Sequence, residues 1–218
     1  MEKRRFAVIG LGKFGFYLAR NLAEHKQHVL CIEKDEALVE AISPYVGEAV
    51  VGDASKREVL EGLALAEMEQ VIVAVGNLTQ SVLITLYLKE LGVRRVLAKA
   101  NDEDHAKVLS LVGADRVIIP ERDSARRVAQ SLIMPNIVDF LPMMPDFCVA
   151  EIEPPPSFVG HSLAELDLRR RYHVYVIGVR NKFSDKIALM PRAEHVIDRD
   201  EVLYVMGRHV DVEALSEK

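Results

Sequence analysis

Six short, almost continuously apolar segments alternate with amphipathic ones between residue 5 and about residue 133, and this alternation leaves few folds open. The apolar segments are Phe6–Ile9, His28–Glu33, Glu48–Val51, Gln70–Val75, Val96–Ala100 and Arg116–Pro120. Strands that are apolar on both faces belong to a parallel sheet with helices on either side. The intervening stretches supply those helices. Leu78, Val82, Thr85, Leu86 and Lys89 recur every three or four residues within Asn77–Leu91, and Asp102–Val112 ends at Gly113 as a C-cap. Right-handed crossovers then predict a doubly wound parallel α/β sheet.

The first strand runs straight into Gly10-Leu11-Gly12-Lys13-Phe14-Gly15, a Gly-x-Gly-x-x-Gly turn, and on into a helical segment, Phe16–Glu24. In such a turn backbone N–H groups approach a phosphate closely at a helix N-terminus, where the dipole favours negative charge. Gly10 allows the tight turn, Gly12 removes a side chain that would meet the phosphate, and Gly15 lets the helix pack on the strand. Glu33 closes the second strand and is placed to accept hydrogen bonds from a ribose diol, with Lys34 beside it and Asp35 to assist. This context makes the domain Rossmann-like; the competing reading is an ordinary βα turn followed by a surface acid.

Other polar residues fall at strand C-termini, the edge where open α/β sheets bind ligands. Gly52-Asp53-Ala54 follows the third strand, Ala74-Val75-Gly76-Asn77 the fourth, Lys99 lies in the fifth and Glu121 follows the sixth. Asp53 suits an adenine amino group, Gly76 keeps its strand end clear of the ligand, and Lys99 offers a cation to a phosphate. Solvated turns and helix caps are the plainer alternatives for each.

Glu33 repels a 2′-phosphate, which disfavours NADP. Phe16 stands where a phosphate-hydrolysing loop would need Lys-Ser/Thr, so bound ATP would be sensed by its presence. Lys13 adds a cation near the phosphates. There is no Tyr-x-x-x-Lys pair, and His161, His173 and His195 show no carboxylate or thiol spaced for a relay. They read as surface or strand-edge histidines.

A further amphipathic helix spans Glu121–Ile133. Residues 134–146 are apolar but interrupted by Pro135, Pro142 and Pro145, with Ile137, Val138, Phe140 and Leu141 reading as an exposed helical turn in search of a partner. A small α+β unit then occupies residues 147–218. Its predicted parts are a strand at Cys148–Glu153, a helix capped by Ser162 with Glu165 in the capping-box position, and strands at His173–Arg180 and Glu201–Met206 around a turn at Asn181–Lys186. The expected domains are therefore 1–133, a linker at 134–146, and 147–218.

The net charge of −5 argues against nucleic acid as a partner. The apolar runs are far shorter than the ~20 residues of a spanning helix. The first strand begins too early for a signal peptide, and Cys31 and Cys148 read as buried free thiols of a cytoplasmic protein.

Taken together, Phe6–Gly15, Gly52-Asp53-Ala54, Gly113-Ala-Asp-Arg-Val-Ile-Ile-Pro-Glu121, Ser162–Tyr172 and Asp200–Gly207 resemble an RCK (KTN) regulatory subunit of a Ktr- or Trk-type potassium uptake system. That resemblance implies a non-enzymatic cytosolic protein, peripheral at the membrane, assembled as dimers into an octameric ring on a membrane K⁺-translocating subunit. It implies ATP, ADP or NAD(H) in the first domain and ligand-dependent gating of ion flux. It further implies a role for Lys13 at a neighbour's γ-phosphate, Mg²⁺ or another cation at Glu121, and cyclic di-AMP in the second domain near Val176, Ile177, Arg180 and Asn181. A small NAD-dependent oxidoreductase and a stand-alone nucleotide-sensing scaffold are the competing functions.

Overall fold

A computed structural model describes residues 3–133, 137–144, 146–184 and 186–216. The chain divides into two compact units, Met1–Arg122 and Asp123–Lys218.

The first unit is built on six parallel strands, β1 (Arg5–Ile9), β2 (His28–Glu33), β3 (Glu48–Val51), β4 (Gln70–Val73), β5 (Val96–Lys99) and β6 (Arg116–Ile118), in the order β3-β2-β1-β4-β5-β6. Side chains alternate between two cores, as strand geometry requires. Ala7, Ile9, Leu30, Ile32, Val71 and Val73 face one core with Ile84, Leu88 and Leu109. Those last three come from α4 (Leu78–Glu90) and α5 (Glu103–Leu111). Val8, Val29, Cys31 and Ile72 face the other, with Ala19, Val39 and Ile42 of α1 (Lys13–Glu24) and α2 (Glu36–Ile42). The short α3 (Arg57–Glu61) and a 3₁₀ turn (Leu65–Glu67) carry the crossover between β3 and β4. Strand order reverses between β1 and β4, which opens a crevice at their C-terminal ends.

Three helices begin on side chains that accept an otherwise orphaned N–H: Asp35 from Ala37, Asn77 from Gln80 and Asp102 from His105. α6 (Pro120–Ile133) starts on a proline, whose missing N–H would have had no partner there.

The second unit is antiparallel. Its sheet runs β10 (Ile187–Leu189), β9 (Tyr175–Asn181), β11 (Glu201–Arg208), β8 (Phe147–Ile152), β7 (Ile137–Met144). Cys148, Ala150, Ile152, Val179, Leu203 and Val205 cluster with Leu166, Leu168, Val212 and Leu215 from α7 (Leu163–Leu166), α8 (Leu168–Tyr172) and α9 (His209–Ser216). On the opposite face Tyr204 accepts from Arg180, which also pairs with Glu151, beside the half-exposed Tyr175, Met206 and Phe147. Cys31 and Cys148 are buried and free, and burial pushes their thiols up to about 12 and about 11.

Several expectations change here. Ile137–Leu141 is not a helical turn but part of β7, paired with β8 from Ile137↔Ile152 to Met144↔Phe147. Pro142, which argued against regular structure, is admitted because β7 is an edge strand and the ladder is irregular between Pro142 and Met144. The remainder of the linker reading, Met134–Asn136 and Pro145, lies outside the described residues. α8, α9 and β10 were not foreseen, being elements of only 5, 8 and 3 residues.

Ser162 accepts from the Glu165 N–H while the Glu165 carboxylate accepts from the Ser162 N–H, the reciprocal pair expected of a capping box. Ser162→Ala should destabilise the chain by about 1 kcal/mol and Ser162→Asp by much less, read as shifts in the urea midpoint.

Candidate functional site

The glycine turn joins β1 to α1 where backbone meets backbone. A Cβ on Gly15 would lie 1.9 Å from the Gly10 carbonyl oxygen and 3.1 Å from the Ala74 Cβ. Gly10 has φ +92°, and a Cβ there would stand 3.0 Å from the Ala74 carbonyl carbon and the Val75 Cγ2. Gly12 is different: nothing lies within 4 Å of where its Cβ would be. It is the N-cap of α1, and no side chain caps that helix or places an acid in its first turn. The turn therefore presents a helix N-terminus to open space.

That space is a cleft of about 260 Å³. Of the predicted residues, Gly10, Gly12, Glu33, Lys34, Asp53, Ala54, Ala74, Val75, Gly76 and Asn77 line it. Glu33 holds the turn itself. Its Oε2 accepts from the Leu11 N–H at 2.7 Å, and its Oε1 from the N–H groups of Lys34 and Asp35 at 2.8 and 3.2 Å. A carboxylate has about four acceptor sites, so one remains, on Oε2. Asp53 folds back on Ser55, accepting from its hydroxyl at 2.6 Å and its N–H at 3.1 Å, and these bonds hold its carboxyl below the usual range. Gly76, like Gly12, has open space where a side chain would be.

The other predicted residues are not among those that line the cleft. The Leu11 side chain is buried in the core beneath the turn, and Gly15 is a packing contact. Lys13 and Phe14 line a shallow groove along α1 with Tyr17, Leu18 and Asn21. Asp35 caps α2. Lys99, only 12 % exposed, is bound at 2.9 Å to Glu121, whose carboxyl that partner holds below its usual range. Among the described residues no group of three or more His, Cys, Asp or Glu side chains gathers in metal-binding geometry.

Sequence reasoning missed Gln80 and Ile84, which line the cleft from the first turns of α4, and Ser55, although Asp-x-Ser is a recognisable turn pattern. It also missed Asn101, whose amide donates to the Gly76 carbonyl at 2.6 Å, and His105, buried against Ser81 at 2.8 Å. In the second unit His195 Nε2 lies 3.0 Å from the Glu201 carboxylate, six residues on, a pair the sequence reading did not identify. A loop brings the two together, and no short spacing announces it.

The two flanking glycines predict opposite phenotypes. Gly15→Ala should cost about 3 kcal/mol or more, because two backbone segments must separate. Gly12→Ala should change stability by no more than about 1 kcal/mol. Thermal melts of the two ligand-free variants distinguish them.

Comparison with known proteins agrees with this architecture. A TrkA-N domain model matches residues 6–120 and a TrkA-C domain model residues 149–218. The chain is 35% identical over 217 residues to Ktr system potassium uptake protein C of Bacillus subtilis, covering 99% of this chain and 97% of that protein. Ktr system potassium uptake protein A of the same organism is 33% identical over 213 residues, covering 97% of this chain and 95% of that one. Among solved structures, the GsuK RCK domain superposes with a TM-score of 0.68 at 19% identity, covering 100% of this chain and 48% of that one. The GsuK channel bound to NAD gives 0.68 at 18% identity, with 100% and 40% covered. The chain thus spans less than half of those larger proteins, and at such identities they speak for the fold. With both domain models matched and relatives aligned end to end, the chain belongs to the TrkA-N/TrkA-C family.

Proposed function

We propose that this protein is a nucleotide-sensing regulatory subunit of a membrane K⁺ transport system. The observation that carries the reading is an open glycine-turn cleft in a chain aligned over nearly its whole length with potassium uptake proteins. The ionisable side chains in the cleft are Glu33, Lys34 and Asp53, and both carboxylates already hold protein N–H or O–H groups. Engaged in this way, the two carboxylates serve to shape the cleft, which favours a binding role.

The ligand class is an adenine nucleotide carrying two or more phosphates, ATP, ADP or NAD(H). The Gly10–Gly15 turn takes the phosphates, Glu33 the ribose and the Asp53 turn the base. Structures similar in fold were solved with NAD, with ADP and with AMP. Lys13, exposed on α1, is free to meet a third phosphate held by a neighbouring copy.

Within this reading the unit Met1–Arg122 is the nucleotide lobe, and the unit that follows it, whose sheet includes β7, is the regulatory lobe. The protein is not an enzyme, works on the cytoplasmic side against the membrane subunit, and assembles as a dimer or a ring of eight. Tyr175, Met206 and Phe147, half-exposed on one face of the second sheet, support self-association. That face also carries Arg180, near which cyclic di-AMP would bind. A cation at Glu121 would compete with Lys99, and one carboxylate per chain needs a neighbour's oxygens to complete its coordination. No helix among the described residues is long and apolar enough to cross a membrane.

Only a ligand that contacts two ring shapes differently can shift their balance. ATP and ADP should bind with similar affinity yet give different K⁺ flux in proteoliposomes containing the membrane subunit. Lys13→Ala should erase that difference while leaving ADP binding nearly intact. Gly12→Val should abolish nucleotide binding in calorimetry; undiminished affinity would overturn the assignment of the cleft.

A further inference from the structure

Three polar side chains are fully buried among the described residues, Ser81, Thr85 and His105, and they lie in one hydrogen-bonded group between α4 and α5. Its geometry fixes the state of the histidine. The Asn101 N–H points at His105 Nδ1 at 3.2 Å, so Nδ1 is the acceptor. The ring proton then sits on Nε2 and is donated to Ser81 Oγ at 2.8 Å. The Ser81 O–H donates to the Leu78 carbonyl at 2.9 Å, and the Thr85 O–H to the Ser81 carbonyl at 2.8 Å. Every donor has an acceptor, and the ring is neutral.

Apolar side chains would hold α4 against α5 without the desolvation these groups incur. What the polar group adds is direction. His105 fixes the backbone at Asn101, and the Asn101 amide reaches across to the Gly76 carbonyl. Gly76 and Asn77 form the cleft wall opposite Glu33, and nothing packs where a Gly76 side chain would be. The near wall, Gly10 to Gly15, is locked by backbone contact; this one is tethered.

We infer that His105, Ser81 and Asn101 are positioning residues: they hold the Gly76–Asn77 rim in place and so set nucleotide affinity without touching the nucleotide. The ligand half of this inference rests on the nucleotide reading of the cleft; the tethering half does not. Protonation of His105 turns Nδ1 from acceptor to donor and releases Asn101. Burial and the charge of Lys99 oppose that proton and Asp102 favours it, while α4 presents the uncharged Ser81. With its pKa lowered, the ring stays neutral at pH 7 and takes a proton only below its ordinary value of about 6.5.

Amide hydrogen exchange of residues 76–81 in the ligand-free chain, corrected for intrinsic rates, tests the tether, and calorimetry with ADP tests its effect. Asn101 is exposed, so Asn101→Ala should fold normally; His105→Leu is the second variant. Both should raise exchange at the rim about 10-fold or more, leave residues 13–24 unchanged, and weaken ADP about 10-fold. His105→Asn, which can still accept from Asn101, should restore part of the protection. A titration of rim exchange downward from about pH 7.5 should show the wild-type rim loosening only below about 6.5, with no such step in Asn101→Ala. A rim equally protected in Asn101→Ala and wild type overturns the inference, and so does a loosened rim with unchanged ADP affinity. If the wild-type chain binds none of AMP, ADP, ATP and NAD⁺, the nucleotide reading and the affinity half fall together, and exchange alone decides the tether.

Discussion

The site depends on one close approach, that of α1 to the end of β1 at Gly15 and Gly10. With 1.9 Å available to a Cβ, only glycine lets the first turn of the helix rest on the carbonyl of the preceding turn. That contact aims the α1 N-terminus at the crevice, brings β1 against Ala74 of the β4 end, and leaves Leu11 directed into the core. Because interiors are close-packed, an approach of this kind has no soft alternative. Everything the turn does for an anion follows from a backbone that cannot relax.

The rest of the cleft is held by weaker means. Glu33 ties the Leu11 N–H to the end of β2, Asp53 curls on Ser55, and Asn101 tethers Gly76. Individual hydrogen bonds of this sort contribute about 0.5–1.5 kcal/mol, an order of free energy that ligand binding or a single proton can match. A cleft with one rigid wall and one hydrogen-bonded wall is suited to sensing. In the proposed function the rigid wall would take the phosphates, and the tethered wall would be the one to move.

Much of this was legible in the residues. Continuous apolar strands, the Gly10–Gly15 turn and the acid at Glu33 specify a doubly wound sheet because backbone sterics and two-faced burial act locally and leave periodic traces. The Ser162–Glu165 box was legible for the same reason. Lys99 was not: its place on the ligand edge suggested a phosphate cation, but Glu121 neutralises it from the start of α6, a contact between elements that no spacing encodes. His105 reads as one more polar residue on a helix until the structure sets it beneath Ser81. Three prolines masked β7, because whether a proline is tolerated depends on the strand's place in a sheet, and order within a sheet is a long-range property.

The two units differ in how they satisfy their sheets, and that difference bears on how a signal leaves the cleft. In the first unit helices cover both faces of a parallel sheet, so its strands are internally complete. In the second, α7 to α9 cover one face, while Tyr175 and Met206 stay partly wet on the other beside the Arg180, Glu151 and Tyr204 cluster. A half-covered antiparallel sheet has a face on which another surface can settle, and apolar area still exposed to water is a standing source of association free energy. In the function proposed above, recognition would fall to the unit whose sheet is covered on both faces and assembly to the unit whose sheet is not. On that reading, a ligand that shifted the tethered wall would need only to bias how copies of the chain are arranged, and a difference of about 1–3 kcal/mol between arrangements is the ordinary scale of allosteric coupling.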